Sequence, residues 1–112
     1  MRDPGERLID MLDAIARIER YAARGQRAFE QEELIQTWFL HHLQLIGEAA
    51  AQLGKTFHDS HPEIPWAQII AMQNVLVHEY FGVDLHEVWK TVERDLPMLK
   101  QQIEALLKRM EG

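Results

Sequence analysis

The chain has 112 residues, no cysteine and a formal net charge of −6, from 12 lysines and arginines against 18 acidic residues. That length supports a single domain, residues 1–112, with a real core but no room for a deep cleft within one subunit, so a catalytic cleft would have to form between copies in an oligomer. The missing cysteines exclude disulfides, zinc ribbons, thiol nucleophiles and iron–sulfur clusters, and the acidic balance excludes a broad duplex-binding face while leaving room for a small local nucleic-acid site.

No apolar run approaches the ~20 residues of a membrane span. The N-terminal stretch Met1-Arg2-Asp3-Pro4-Gly5-Glu6-Arg7 lacks the apolar core of a signal peptide. A cytoplasmic protein with no membrane association is expected.

In chain order, Leu8, Leu12, Ile15, Ile18 and Ala22 recur at three- and four-residue steps, which predicts a helix from Glu6 to Arg24 with Gly25 as its stop. A second, longer helix is predicted from Glu30 to Leu53 on the spacing of Leu34, Phe39, Leu43, Ile46, Ala50 and Leu53, ending at Gly54. The two should pair antiparallel. Glu30, Glu32 and Glu33 read as a solvated helix start, favoured by the dipole. Residues 55–65 hold two prolines and several turn formers, so they read as a connector. Pro65 suits the first turn of a third helix, from Trp66 to Phe81, closed by Gly82. Asp84 with Glu87 three residues on resembles a capping box that opens a fourth helix bearing Leu85, Val88, Trp89, Val92 and Leu96. Pro97 marks a break, after which Leu99, Ile103, Leu106 and Leu107 carry a last helix. The fold class is all-α: four main helices in a bundle plus an additional C-terminal helix.

The third helix is the most apolar, yet it contains Gln73, Asn74, His78 and Tyr80. Polar groups buried without partners cost a few kcal/mol each, so these are either satisfied internally or kept for chemistry. On a helix Asn74 and His78 lie about 40° apart, one turn from each other, and Gln73 and Tyr80 share another stripe. A histidine can serve as both acid and base near neutral pH, and Asn74 could either orient it or bond a phosphate oxygen. A bland reading is available for each: a satisfied core histidine, an asparagine bracing a helix crossing, a tyrosine at the core edge.

The segment Met72-Gln73-Asn74-Val75-Leu76-Val77-His78-Glu79-Tyr80-Phe81-Gly82-Val83-Asp84, with Ile46-Gly47-Glu48-Ala49-Ala50 before it and Val88-Trp89 to Asp95-Leu96-Pro97 after it, resembles the HepT-like branch of the HEPN superfamily over nearly the whole chain. The resemblance implies a HEPN-like up-and-down bundle, a homodimer, and a metal-independent endoribonuclease toxin without cofactor, held in check by an MntA-like nucleotidyltransferase antitoxin that attaches AMP to the motif tyrosine, here Tyr80. The family signature is arginine, four residues, histidine, any residue, tyrosine. Asn74, His78 and Tyr80 match it, but Gln73 stands at the arginine position.

In that setting His78 is the candidate for proton transfer, with Asn74 beside it and RNA, transfer or messenger, as substrate. Gln73 offers neither the charge nor the fork of a guanidinium, and losing such a contact costs roughly 3 kcal/mol, so a weak or silent nuclease is expected. The alternative is a non-catalytic helical dimer that binds the nucleotidyltransferase or RNA. Glu48 is either a supporting partner that positions the motif helix or a buried capping group. His41 and His42 occupy neighbouring helical faces, so at most one should line an interface. His58, Asp59 and His61 have loose metal-ligand character, but no H-E-x-x-H element supports them and no metal site is expected. Trp66 and Trp89 read as core residues.

Overall fold

A computed structural model describes residues 3–71 and 84–111, and among these every regular element is helical. Helix α1 runs Pro4–Ala22, α2 Gln26–Gln31, α3 Glu33–Gln52, α4 Lys55–Ser60, α5 covers residues 66–71, α6 is Leu85–Lys90 and α7 is Leu96–Glu111. The all-α class is as expected. No helix among the described residues is long and apolar enough to cross a membrane. The predicted continuation of the third helix to Phe81 and its stop at Gly82 lie outside the described residues.

Helix α1 starts where Asp3 accepts a hydrogen bond from the Glu6 amide at 2.9 Å, with Pro4 in the first turn. Its buried stripe is Leu8, Met11, Ala14, Ile15 and Ile18. Met11 thus takes the place expected of Leu12, which is only half-buried; the methionine falls nearer the centre of the stripe. Helix α3 answers with Ile35, Phe39, Leu43, Ile46 and Ala50. Arg7 bonds Gln52, Trp38 donates from Nε1 to the Arg17 carbonyl at 2.8 Å, and Tyr21 meets Trp38 edge-on at 5.5 Å. As α1 ascends its partners on α3 descend, so the pair is antiparallel, as predicted.

The predicted second helix is in fact two. Glu32 takes extended backbone (φ −110°, ψ 108°) between α2 and α3, and Gln36 Nε2 returns to the Phe29 and Glu30 carbonyls that the break leaves open. Leu34 lies in the first turn of α3, about 140° from Phe39 and about 180° from Leu43 around the same helix, and is 85% exposed instead of in the core. Glu33 does stand in the first turn of α3, but Glu30 belongs to the end of α2.

The connector also departs from expectation, because residues 55–60 form α4. Gly54, at φ +87°, supplies the left-handed turn into it; Lys55 pairs with Asp59 at 2.6 Å and Ser60 Oγ donates to the Thr56 carbonyl. Both prolines follow this helix, so neither interrupts it.

Pro97 does not break the chain. Residues 91–95 form a π-helical turn in which the Leu96 amide reaches back to the Thr91 carbonyl, and α7 continues from there. In a regular α-helix the Pro97 ring would press on the Glu93 carbonyl; the extra residue in the wider turn relieves that clash.

The core is closed by Phe29 of α2, stacked on Phe39 at 5.0 Å and tilted against Trp89 at 5.7 Å, and by Leu96, Leu99, Ile103 and Leu106. Trp89 is buried as expected, but among the described residues its indole N–H has no hydrogen-bond partner. Such an orphan donor costs about 1–3 kcal/mol. Replacing Trp89 with Phe removes that donor while keeping an aromatic ring, so Trp89→Phe should change unfolding free energy by under about 1 kcal/mol, whereas Trp89→Ala should cost about 3–5 kcal/mol. Urea denaturation of the two variants beside the parent checks this, and equal losses would contradict it.

Candidate functional site

The motif residues Gln73, Asn74, His78 and Tyr80 lie outside the described residues. What the structure defines is the frame on either side. On the entry side Ile64, Trp66 and Ile69 are buried, and Trp66 donates from Nε1 to the His61 carbonyl at 2.9 Å. The His58 ring stacks on Trp66 at 4.9 Å, and its Nε2 donates to the Ala50 carbonyl at 2.7 Å, which ties α4 to the end of α3. On the exit side Asp84 caps α6, accepting from the amides of His86 at 2.9 Å and Glu87 at 3.4 Å. The predicted cap is therefore present.

The residues with loose metal-ligand character are occupied otherwise. His58 spends a ring nitrogen on Ala50, His61 packs on Phe57 at 4.5 Å, and Asp59 pairs with Lys55. Among the described residues no group of three or more His, Asp or Glu side chains could hold a metal ion.

Glu48 is exposed, which excludes the buried capping role. It borders a groove of about 530 Å³ between α1 and α3, together with Arg7, Asp13, Arg17, His41 and His42. His42 is 4% exposed and His41 is exposed, the split expected of neighbouring helical faces, yet both rings reach the groove. His42 Nδ1 donates to the Trp38 carbonyl at 2.7 Å, and its ring packs on Trp38 at 4.3 Å. That bond selects the tautomer with a free lone pair on Nε2. Burial pushes the His42 pKa below its ordinary 6.5 against the opposing pull of the backbone bond, and the nearby His41 and Arg17 lower it further. The ring is thus neutral at pH 7.

His42 was legible in principle. It shares the apolar phase of Ile35, Phe39, Leu43 and Ile46, the position where a polar side chain must find a partner.

Residues 11–106 match the protein family described as Ribonuclease HepT-like. The chain belongs to the HepT-like ribonuclease family. It is 38% identical over 104 residues to a Thermococcus cleftensis protein named "Probable ribonuclease HepT", covering 90% of this chain and 93% of that one. A relative from Caldanaerobacter subterraneus subsp. tengcongensis, bearing the name of an RNase, is 34% identical over 92 residues, 82% of each chain. An RNase-named relative from Methanocaldococcus jannaschii is 33% identical over 76 residues, 68% of this chain and 70% of that one. No solved structure matches. The HEPN resemblance read from the motif is thereby met, and this HepT-like chain has the all-helical frame the family implies.

Two outcomes follow from the frame. Asp84→Ala should destabilise the protein by about 1 kcal/mol and Asp84→Ser should restore most of it, read from thermal or urea midpoints. Because the folded-state pKa of His42 is depressed, the unfolded chain takes up this proton first as the pH falls. The stability from neutral His42 is complete above about pH 6.5 and is lost as the pH drops below that value toward the folded-state pKa. Urea midpoints from pH 8 to pH 5 should therefore fall more steeply below about pH 6.5 in the parent than in His42→Gln; parallel profiles would contradict this.

Proposed function

We propose that this HepT-like chain is the toxin of a HepT/MntA-type toxin–antitoxin pair: a homodimeric, metal-independent endoribonuclease that cuts transfer or messenger RNA in the cytoplasm. The observation that carries the reading is the Asn74, His78, Tyr80 pattern at family spacing in a chain that belongs to a ribonuclease family.

The chemistry needs only what the chain owns. The ribose 2′-hydroxyl attacks the adjacent phosphorus, one His78 accepts its proton, the new O2′–P bond forms, and the P–O5′ bond breaks as a second His78 across the dimer axis delivers a proton to the departing O5′. The products are a 2′,3′-cyclic phosphate and a free 5′-hydroxyl. Asn74 holds the imidazole or a phosphate oxygen. Gln73 can donate a hydrogen bond to the crowded phosphorane but cannot neutralise it, which attenuates the enzyme by about a hundredfold. Neutralisation by the MntA-like nucleotidyltransferase is attack of the Tyr80 phenol oxygen on the α-phosphorus of ATP, releasing pyrophosphate. The adenylyl group then sits two residues from His78 and brings a negative charge where the RNA phosphate would bind. Glu48, exposed on α3, remains a candidate for orienting the motif helix.

Gln73 also favours a second reading, a non-catalytic dimer that binds the nucleotidyltransferase or RNA without cutting. Cleavage of total RNA and growth inhibition by the parent and by Gln73→Arg separate the two. The toxin reading expects arginine to raise cleavage about a hundredfold, His78→Ala to abolish that gain, and the partner with ATP to silence it while adding one AMP to Tyr80. If Gln73→Arg binds the partner and never cuts, the binding module is the correct reading.

A further inference from the structure

Although the chain is acidic overall, Arg17, Arg20 and Arg24 lie within about 60° of one another along α1 and the turn that follows it. All three are exposed. Among the described residues no carboxylate is paired with Arg17 or Arg20, and Arg24 makes one open pair with Glu32 at 3.1 Å, both side chains about half exposed. Arg17 and Arg20 line one surface depression; Arg24 rims the next, a cleft of about 410 Å³ whose walls are Tyr21, Trp38, Ile35 and the exposed Leu34. The Trp38 ring is held in register with the arginines by its bond to the Arg17 carbonyl, and Tyr21 stands edge-on to it.

We propose that this arginine stripe and its aromatic cleft form a docking track for single-stranded RNA, with Arg17, Arg20 and Arg24 on successive phosphates and a base seated against Tyr21 and Trp38. The track rests on the reading of the chain as a protein that acts on RNA, and it supplies that reading with a substrate-holding surface separate from the motif residues in sequence.

Three features select a single strand. Arg17 to Arg24 spans about 10 Å of helix axis, enough for a few phosphates but not for a duplex face. An aromatic cleft can take a base only when that base is unstacked from its neighbours. Asp13, one turn before Arg17, lines the same depression as Arg17 and Arg20 and with Glu48 borders the larger groove, so carboxylates bound the stripe at its Arg17 end and the attraction for phosphate runs from there toward Arg24. Arg17 and Arg20 have no carboxylate partner among the described residues, and Arg24, at the rim of the aromatic cleft, exchanges its open pair with Glu32 for a phosphate. Cations beside aromatic side chains are the combination that single-strand binders use, and the arginines hold the backbone whatever the base.

The test is fluorescence anisotropy of a short labelled single-stranded RNA with the full chain, the double variant Arg17→Gln/Arg20→Gln, and Tyr21→Leu, across a salt series. Circular dichroism and thermal midpoints confirm that each variant folds. The double variant should bind about tenfold more weakly at low salt, with its salt slope reduced by about 1.4, two single-strand phosphate contacts at about 0.7 each. Tyr21→Leu should lose at least about fivefold with an unchanged slope. Unchanged affinity and slope in the double variant overturn the track. So does loss of nucleotidyltransferase capture with RNA binding intact, which would make the stripe a protein-docking surface. Cleavage by Gln73→Arg is read in parallel: cutting that ignores the arginine changes sinks the track and leaves the ribonuclease standing, whereas arginine-dependent binding without any cutting does the reverse.

Discussion

The described structure depends on one antiparallel contact, the burial of α1 against α3. Leu8, Met11, Ile15 and Ile18 on one side and Phe39, Leu43, Ile46 and Ala50 on the other are at most 1% exposed. Full burial of a large apolar side chain is worth about 1.5–3 kcal/mol, so this seam outweighs any polar contact on the surface. The open ion pairs Arg24–Glu32, Lys55–Asp59 and Arg109–Glu63 contribute at most about 1 kcal/mol each. Around the seam lie the His41 and His42 groove along one edge, the arginine stripe farther along α1, and the Ala50 carbonyl at the end of α3 that receives His58.

Polar groups at this seam are few and held in place. His42 is the single buried polar residue among those described, and its position is paid for by the bond to Trp38 and the contact with that ring. Trp38 is in turn fixed by the Arg17 carbonyl, so one tryptophan links a buried neutral histidine to an exposed row of cations. Truncating Trp38 would disturb both edges of the helix pair.

The family motif relates to this scaffold through its ends. Trp66, stacked on His58 and bonded to the His61 carbonyl, fixes where the third helix begins, and the Asp84 cap fixes where the fourth does. Under the proposed ribonuclease chemistry, the glutamine at the signature's arginine position is the decisive departure in the motif: it would remove a positive charge from where a phosphorane needs it, while leaving the histidine, asparagine and tyrosine spacing intact.

Much of this was legible from residue order alone. Helical periodicity identified α1, the main part of α3 and α7, because each runs long enough for an apolar stripe to repeat several times, and the motif spacing identified the family. Asp84 as a cap could be read from its position before an apolar run. The short helices α2 and α4 were not legible, since six residues make under two turns and show no periodicity above that of a turn-rich loop. Leu34 was grouped with the apolar stripe for its side chain, although it lies about 180° from Leu43 around the same helix and so faces away from the core. Pro97 looked like a helix end because proline strains an α-helix; the π-helical turn before it has no local signature. The sequence by itself determined the helical class and the family, and it nominated the motif residues as the candidate site, because all three readings depend on local pattern. The tertiary structure decided where helices break, that Met11 is buried in place of Leu12, that His42 is neutral, and that three arginines share a surface with an aromatic cleft. Those outcomes depend on which distant residues face one another, through packing and hydrogen bonds that no local spacing encodes.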